Sequence, residues 1–444
     1  MSLEVYAPRA REPPCGAEAA SPPVMDGTVS LQVFRGRGTA ALLLVVLTMA
    51  IFAKGIVPAM STVNTDFPSY FTAAKIVADG GPAERLYDIS WFQEQMRRYR
   101  VGVPSQGKFS PFPPPTALLL LPLTRLQPID ALRIVTLCSV ACLLGSIILL
   151  AKVLSWRMVD AAIFVLLSGY AILSGLRFGQ PYMIVSLSCI LGYYAYLKSR
   201  PLLAGICFGV FAPIKYFSVP LLAYFAFRKQ WKLALSGVMT ILLIVLASIA
   251  VLGWPIHAKF LSILESHLIG RLAMQDPFTA SFQSFDSLFR RLFVFDSAFN
   301  PVPLWSMPRL QPLAVVVTKL AIFSVAMATM VRLTRNGAAA AAPCIGIIGI
   351  LTLLLAPATA TYHFALLWLP VGLLINFALQ KSARGCAYLM LGAYALIGVF
   401  PYRFTAPFEG RGGLSVLAYP RLWLLLAIFI VGLYFSWRQA PSSP

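Results

Sequence analysis

The sequence is short of charge. Only 12% of its 444 residues are Asp, Glu, Lys or Arg, while 59% are hydrophobic. A soluble domain carries about 25% charged residues, so a water-facing surface over the whole chain is excluded. Acids are scarcer than bases: 16 Asp and Glu stand against 36 Lys and Arg, with three His. No carboxylate cluster suggests a metal site, and neither a metal nor an organic cofactor is expected. The seven cysteines are scattered, mostly inside apolar runs (Cys138, Cys142, Cys189), with no CxxC or Cys/His ligand spacing. That argues against a zinc site and against a disulfide framework. Also missing are a Walker loop, a GxGxxG with a following acid, and a nucleophile elbow. Their absence argues against a nucleotide-driven cytoplasmic enzyme. No internal repeat is visible.

What is present is apolar length. Runs of about 20 residues, enough to cross a bilayer as a helix, recur along nearly the whole chain. They are continuous rather than alternating, which excludes a membrane β-barrel. The fold class expected is therefore an all-α polytopic membrane protein. The net charge of +20 does not imply nucleic acid as a partner. The basic residues sit in small groups between apolar runs, as the positive-inside rule requires, with no basic stripe carrying interleaved aromatics. Membrane lipids are the partner that this pattern implies.

Candidate spans fall at about 38–58, 132–152, 159–176, 181–197, 202–227, 233–253, 312–333, 340–356, 363–379, 386–402 and 419–437. Residues 1–34, rich in Ala, Pro and Glu, read as a disordered cytoplasmic tail and not as a signal peptide. The membrane domain runs over 35–438, and 439–444 is a short cytoplasmic tail. Arg35 and Arg37 place the N-terminus inside. The later clusters Lys152/Arg157, Lys198/Arg200, Arg228/Lys229/Lys232, Arg332/Arg335, Lys381/Arg384 and Arg438 belong on that side too.

Parity tests this map. With 202–227 as one span, most later basic clusters would be outside. That segment also holds Pro213, Lys215 and Pro220, and a charge at mid-bilayer costs about 2.5–3.5 kcal/mol on insertion scales. Two short helices broken near Lys215 resolve both conflicts. The result is about twelve membrane segments with both termini inside. The acids, Asp160 excepted, then fall outside or in the tail. Two long outer loops result, about 59–131 and 254–311. In the first, 69–80 and 90–100 read as amphipathic juxtamembrane helices, and 116–123 is too short to span and is a candidate re-entrant segment.

Several outer residues could carry chemistry, and each has a plainer reading. Asp66, just beyond the first span, could be a general base or merely cap the helix that follows. Arg177, in the turn Arg177-Phe178-Gly179-Gln180-Pro181, could bind an anion or simply snorkel. Lys215 needs a partner, either a phosphate or the headgroup region. Gln283-Ser284 precedes Arg290 and Arg291 in the second long loop, where loop helices often look alike. Tyr362-His363 stands at the outer end of a span, where His363 could bind phosphate or relay a proton or be a bystander. Pro114 and Pro115 fix an extended entry into an apolar segment.

The order of these features resembles glycosyltransferase family 87, the polyprenyl-phosphate-sugar-dependent mannosyltransferases of the GT-C fold. The resemblance rests on Asp66/Tyr70, on Gly81 to Leu86-Tyr87-Asp88, and on Phe112 to Pro115. It continues through Gly179-Gln180, Ala204-Gly205 with Gly209, Ile214-Lys215, Gln283-Ser284, and Pro357 to His363. It covers roughly 40–380. The chain departs from the family pattern at Ala360, Tyr362 and Tyr216, where the family often has Trp, His and Pro. The resemblance implies a GT-C-like fold and transfer of a hexose, with mannose the expected sugar, from a polyprenyl-phosphate sugar. The acceptor would be a hydroxyl of a lipid or glycan at the outer face of the cell membrane. It implies Asp66 as base, Lys215, Arg177 and His363 on the donor phosphate, and Tyr70, Gln180, Gln283, Ser284 and Tyr362 in the cleft. A transporter or flippase and a non-enzymatic scaffold are the competing classes. Transporters favour inverted repeats and midplane ions. A scaffold predicts no cavity joining Asp66, Lys215 and His363.

Overall fold

A computed structural model describes residues 36–63, 66–103, 105, 107–268, 276–334 and 340–439. The tail expected over 1–34 lies outside these residues, as do Arg35, Arg335 and 440–444. Regular structure among the described residues is helical, apart from one isolated bridge between Asp296 and Asn300.

The amino-terminal half holds α1 (Arg37–Ile51), α2 (Val57–Ser61), α3 (Asp66–Ala78), α4 (Ile89–Tyr99), α5 (Pro128–Leu154), α6 (Met158–Leu166), α7 (Gly169–Arg177), α8 (Tyr182–Leu197) and α9 (Pro201–Gly209). Then come α10 (Val219–Phe227), α11 (Trp231–Leu252), α12 (Trp254–Leu268), α13 (Phe285–Phe293), α14 (Leu310–Thr334), α15 (Ala341–Leu355), α16 (Trp368–Gln380), α17 (Arg384–Val399) and α18 (Pro420–Gln439).

Among the described residues, six helical stretches are long and apolar enough to cross a membrane, or seven if the pair α6–α7, bent by 67°, counts as one span. Other apolar helices are shorter, such as α8, α15 and α17. Large apolar side chains point outward from the long helices, for instance Leu42 and Val45 on α1, Leu243 and Leu246 on α11, and Leu313 and Leu320 on α14. So much exposed apolar surface is incompatible with water and suits lipid. The chain is thus an all-helical polytopic membrane protein. Helix ends coincide with the basic clusters: α5 stops before Arg157, α8 before Lys198, α10 before Arg228 and α16 before Lys381.

The segment 202–227 is broken. α9 ends at Gly209, Lys215 is extended at φ −141° and ψ 106°, and a 3-10 turn over Tyr216–Ser218 leads into α10. α9 packs closely on α11. The Ala204-Gly205-xxx-Gly209 pattern explains how. A Cβ on Gly205 would lie 2.2 Å from the Leu233 carbonyl oxygen, and one on Gly209 would lie 2.5 Å from that of Gly237. Small residues four apart let two membrane helices touch backbone to backbone.

The first long loop carries its own apolar clusters. Phe92 and Met96 of α4 and Phe109 pack with Ile76 of α3 and with Leu252, Ile256 and Phe260. Phe67, Tyr70 and Phe71 pack with Val101, Leu120 and Leu132. α4 is capped by Asp88, which accepts the Trp91 N–H at 3.2 Å, and ends at Arg100 in the left-handed region. The candidate re-entrant stretch forms two short 3-10 turns, Pro114–Leu118 and Leu121–Leu123.

Candidate active site

Seven pieces of chain line a cavity of about 370 Å³. They are the start of α3, the loop around 108–113, Tyr182 at the start of α8, the helix break at 214–217, α12, Phe282 before α13, and the stretch from the end of α15 to Leu366. Asp66, Lys215, Tyr362 and His363, distant in sequence, all line it. Most of the remaining wall is apolar, including Phe112, Phe217, Phe260, Leu264 and Leu353. Such a mixture of apolar wall and few convergent polar groups is the usual make-up of a small-molecule site.

Asp66 sits in the first turn of α3, where the helix dipole favours negative charge. Its Oδ2 accepts a hydrogen bond from Gln180 Nε2 at 2.7 Å. Gln180 is locked from the other side, its Oε1 accepting from the Tyr70 hydroxyl at 2.8 Å and from Lys215 Nζ at 3.5 Å. The turn that delivers Gln180 needs the glycine before it. Gly179 has φ +61°, and a Cβ there would lie 2.8 Å from Phe67 Cβ. Tyr70 and Gln180 thus stand behind Asp66 as positioning residues.

Lys215 makes its contacts with rings rather than with a carboxylate. Its Nζ lies 4.7 Å from the centre of the Tyr182 ring, 5.4 Å from Phe112 and 6.0 Å from Tyr70, and 3.4 Å from the Tyr70 hydroxyl. Burial raises the Asp66 pKa above its ordinary value, partly offset by the Gln180 hydrogen bond and then by Lys215 and Lys108. A carboxylate so raised is a better proton acceptor near neutral pH.

Tyr362 stacks on Tyr182 with ring centres 5.2 Å apart, and His363 meets Tyr182 edge-on at 4.7 Å. The Ala360 N–H donates to His363 Nδ1 at 2.9 Å, so this imidazole carries its proton on Nε2.

Other residues singled out from the sequence sit elsewhere. Arg177 is exposed at the end of α7 and is not part of the cavity lining. Gln283 is a buried clamp: its Nε2 donates to the carbonyls of Ala280 and Ala418, and its Oε1 accepts the Arg421 N–H at 2.9 Å. Ser284 caps α13 and donates to the Pro357 carbonyl at 2.8 Å. Their neighbour Phe282 is the residue that reaches the cavity. Lys108, half-buried in the cavity wall and coupled electrostatically to Asp66, escaped the sequence reading. Its one signal was position, four residues before the Phe112–Pro115 pattern. Among the described residues, no three His, Cys, Asp or Glu side chains gather closely enough to hold a metal ion.

A cavity with one locked carboxylate, an enclosed cation and a long apolar wall suits transfer chemistry on an amphiphilic substrate. The sequence model of glycosyltransferase family 87 matches residues 111–357. The chain belongs to glycosyltransferase family 87. It is therefore a membrane glycosyltransferase, and a sugar donor and an acceptor are its substrates. The matched stretch of the family 87 domain contains Gln180, Tyr182, Lys215 and Phe260, while Asp66, Lys108, Tyr362 and His363 lie outside it. Neither curated proteins nor solved structures contain a match to the chain.

Proposed function

We propose that this glycosyltransferase moves a hexose, mannose by the family resemblance, from a polyprenyl-phosphate sugar to an acceptor hydroxyl. The acceptor is a lipid or glycan at the outer face of the cell membrane. The observation that carries the reading is the cavity itself, in which a half-buried carboxylate and a half-buried lysine share one largely apolar wall. The apolar wall suits a prenyl chain, and the lysine suits a phosphate.

In this reading Asp66 takes the proton of the acceptor hydroxyl. The acceptor oxygen attacks the sugar C1 opposite the phosphate, the C1–O bond breaks, and the configuration inverts. The phosphate leaves as a stable anion, so the second carboxylate that a glycosidase needs as an acid has no counterpart. Lys215 and His363 Nε2–H stabilise charge growing on the phosphate. Tyr362 and Tyr182 offer a stacked aromatic face to the sugar. Arg177 contributes no contact from its exposed place on α7, and Gln283 and Ser284 act by holding the 357–363 segment. The chain crosses the membrane in about twelve segments on a GT-C-like plan, with both termini cytoplasmic.

Purified protein supplied with a polyprenyl-phosphate mannose and membrane lipid extract should transfer the sugar. Asp66→Asn should lower kcat by about 10²–10⁴, the range of general-base catalysis. Full activity in the Asn variant would remove Asp66 from the base role. No consumption of donor with any acceptor fraction would remove the donor class.

A further inference from the structure

Two connections between helices carry an apolar surface that lies open: the stretch from α13 to α14 and the turns from α17 to α18. Val302, Leu304, Trp305 and Met307 come from the first, Leu414 and Leu417 from the second. Each is 41–58% exposed among the described residues, and none lines the cavity. The two stretches touch. The Gly412 N–H donates to the Val302 carbonyl at 2.8 Å, and a Cβ on Gly413 would lie 3.4 Å from Leu304 Cδ1. The first stretch is also fastened to α13. Trp305 and Met307 donate their N–H groups to the carbonyls of Leu292 and Phe293, and the Trp305 ring stacks on Phe293 with centres 6.1 Å apart. Contiguous exposed apolar surface of this kind marks a docking or membrane face.

Depth along α14 decides between them. From Leu310 to Arg332, near its far end, the helix rises about 33 Å at its usual pitch, close to the hydrocarbon thickness of about 30 Å. With Arg332 at one surface of the bilayer, Leu310 stands at the other. Leu313, Val316 and Leu320 of α14 are exposed apolar side chains within that thickness, and Trp305 and Met307 come just before the helix begins. This is also the cavity end of the molecule, because α14 packs on α15, its successor in the chain, whose last turn puts Leu353 into the cavity. Exposed Arg309, Arg403 and Arg411 adjoin the apolar groups in the chain. Tryptophan and arginine beside aliphatic side chains at headgroup depth make up an interfacial segment, and guanidinium groups suit lipid phosphates.

We propose that 302–309 and 403–417 form an interfacial foot, seated in the leaflet at the cavity end of the bilayer. Its apolar side chains enter the boundary between headgroups and acyl chains, and its three arginines meet lipid phosphates. The partner of this surface is the bilayer and not another protein.

Nitroxide accessibility tests this in the full chain, reconstituted in vesicles of phosphatidylethanolamine and phosphatidylglycerol. In a background with the seven native cysteines replaced, single spin-labelled cysteines are introduced as Leu304→Cys, Met307→Cys, Leu414→Cys and Leu417→Cys. Trp305 is kept for its packing on Phe293. Val316→Cys on α14 is the lipid reference, and Ser382→Cys, exposed between α16 and α17, is the water reference. Collisions with oxygen, which concentrates in lipid, are compared with collisions with a water-soluble nickel chelate. Labels on the foot should give an oxygen-to-nickel ratio shifted from that of Ser382 toward that of Val316. Two positions in each stretch keep the test standing if one variant fails to fold. A ratio equal to that of Ser382 would put the surface in water and overturn the proposal. Few collisions with either reagent would mean that protein covers it, a second copy or another chain, and would overturn it equally. Arg309→Gln, Arg403→Gln and Arg411→Gln together should move the Leu304 and Leu414 labels toward the water value, while Lys at all three positions should not. Labels unmoved by the Gln substitutions would overturn the arginine contacts with phosphate.

Discussion

At the scale of single residues, the site depends on Gln180 as much as on Asp66. One amide holds the carboxylate on one side and a tyrosine and a lysine on the other. Its bond to Asp66 lowers a pKa that burial raises. Gln180→Leu removes the lowering contribution, so the Asp66 pKa should rise further. The base must be deprotonated to work, so the acidic limb of the kcat/KM profile should move to higher pH. A buried hydroxyl and carboxylate also lose their partner, at a cost of about 1–3 kcal/mol each, so the melting temperature should fall as well. An acidic limb that stays in place in a folded Gln180→Leu protein would mean that the limb reports some group other than Asp66. Residue identity in the sequence pointed to the turn 177–181 but could not say which of its polar side chains faces inward. The left-handed Gly179 turns Gln180 toward Asp66 and leaves Arg177 outside. Lys108 was illegible for a related reason. A lysine in a 73-residue outer loop (59–131) has no periodicity to place it, and only the packing of Phe109 and Phe112 against α3 and Tyr87 brings it near Asp66.

At the scale of elements, helix existence was read from apolar length, and contacts were not. The pattern Ala204-Gly205-xxx-Gly209 looked like a family signature, and its physical content is a seam between α9 and α11. Gly209→Leu would place side-chain atoms where the Gly237 carbonyl stands, and backbone cannot yield as a flexible side chain can. Overpacking of this kind costs about 1–3 kcal/mol or more, and here it would also pull on the break that carries Lys215. Lower melting temperature together with weakened donor binding is therefore expected, read by thermal unfolding in detergent and by KM. Gly392→Ala is the matching control. Gly392 lies inside α17 with no neighbour within 4 Å of an added Cβ, so the change should be neutral or stabilising by up to about 1 kcal/mol. The Gln283-Ser284 pair belongs to this scale too. It joins α13 to the start of α18 and to Pro357, which explains its place beside a site that it does not line.

At the scale of the whole molecule, sidedness decides whether the cavity meets a substrate outside the cell. Basic residues gather where α5, α8, α10, α14 and α16 end, whereas Asp66 opens α3, Asp130 stands in the first turn of α5, and Asp88, Asp276 and Asp296 lie on connections between helices. Lys and Arg excess in short loops marks the cytoplasmic side, so the proposed orientation puts the acids and the cavity outside. Membrane-impermeant maleimide tests this in intact cells. In a background with all seven cysteines replaced, Cys introduced at the exposed Ser297, between α13 and α14, should label before permeabilisation. Cys at the exposed Ser382, between α16 and α17, should label only afterwards. The two positions carry more than their own loops. A reversed pair is what a single crossing by 202–227 would give, and it would overturn the reading of that stretch as two membrane segments. Labelling of both from one side would instead mean that α14, α15 and α16 do not make three crossings between them. Labelling in the expected order would leave an acceptor at the outer face as the substrate that this cavity can reach.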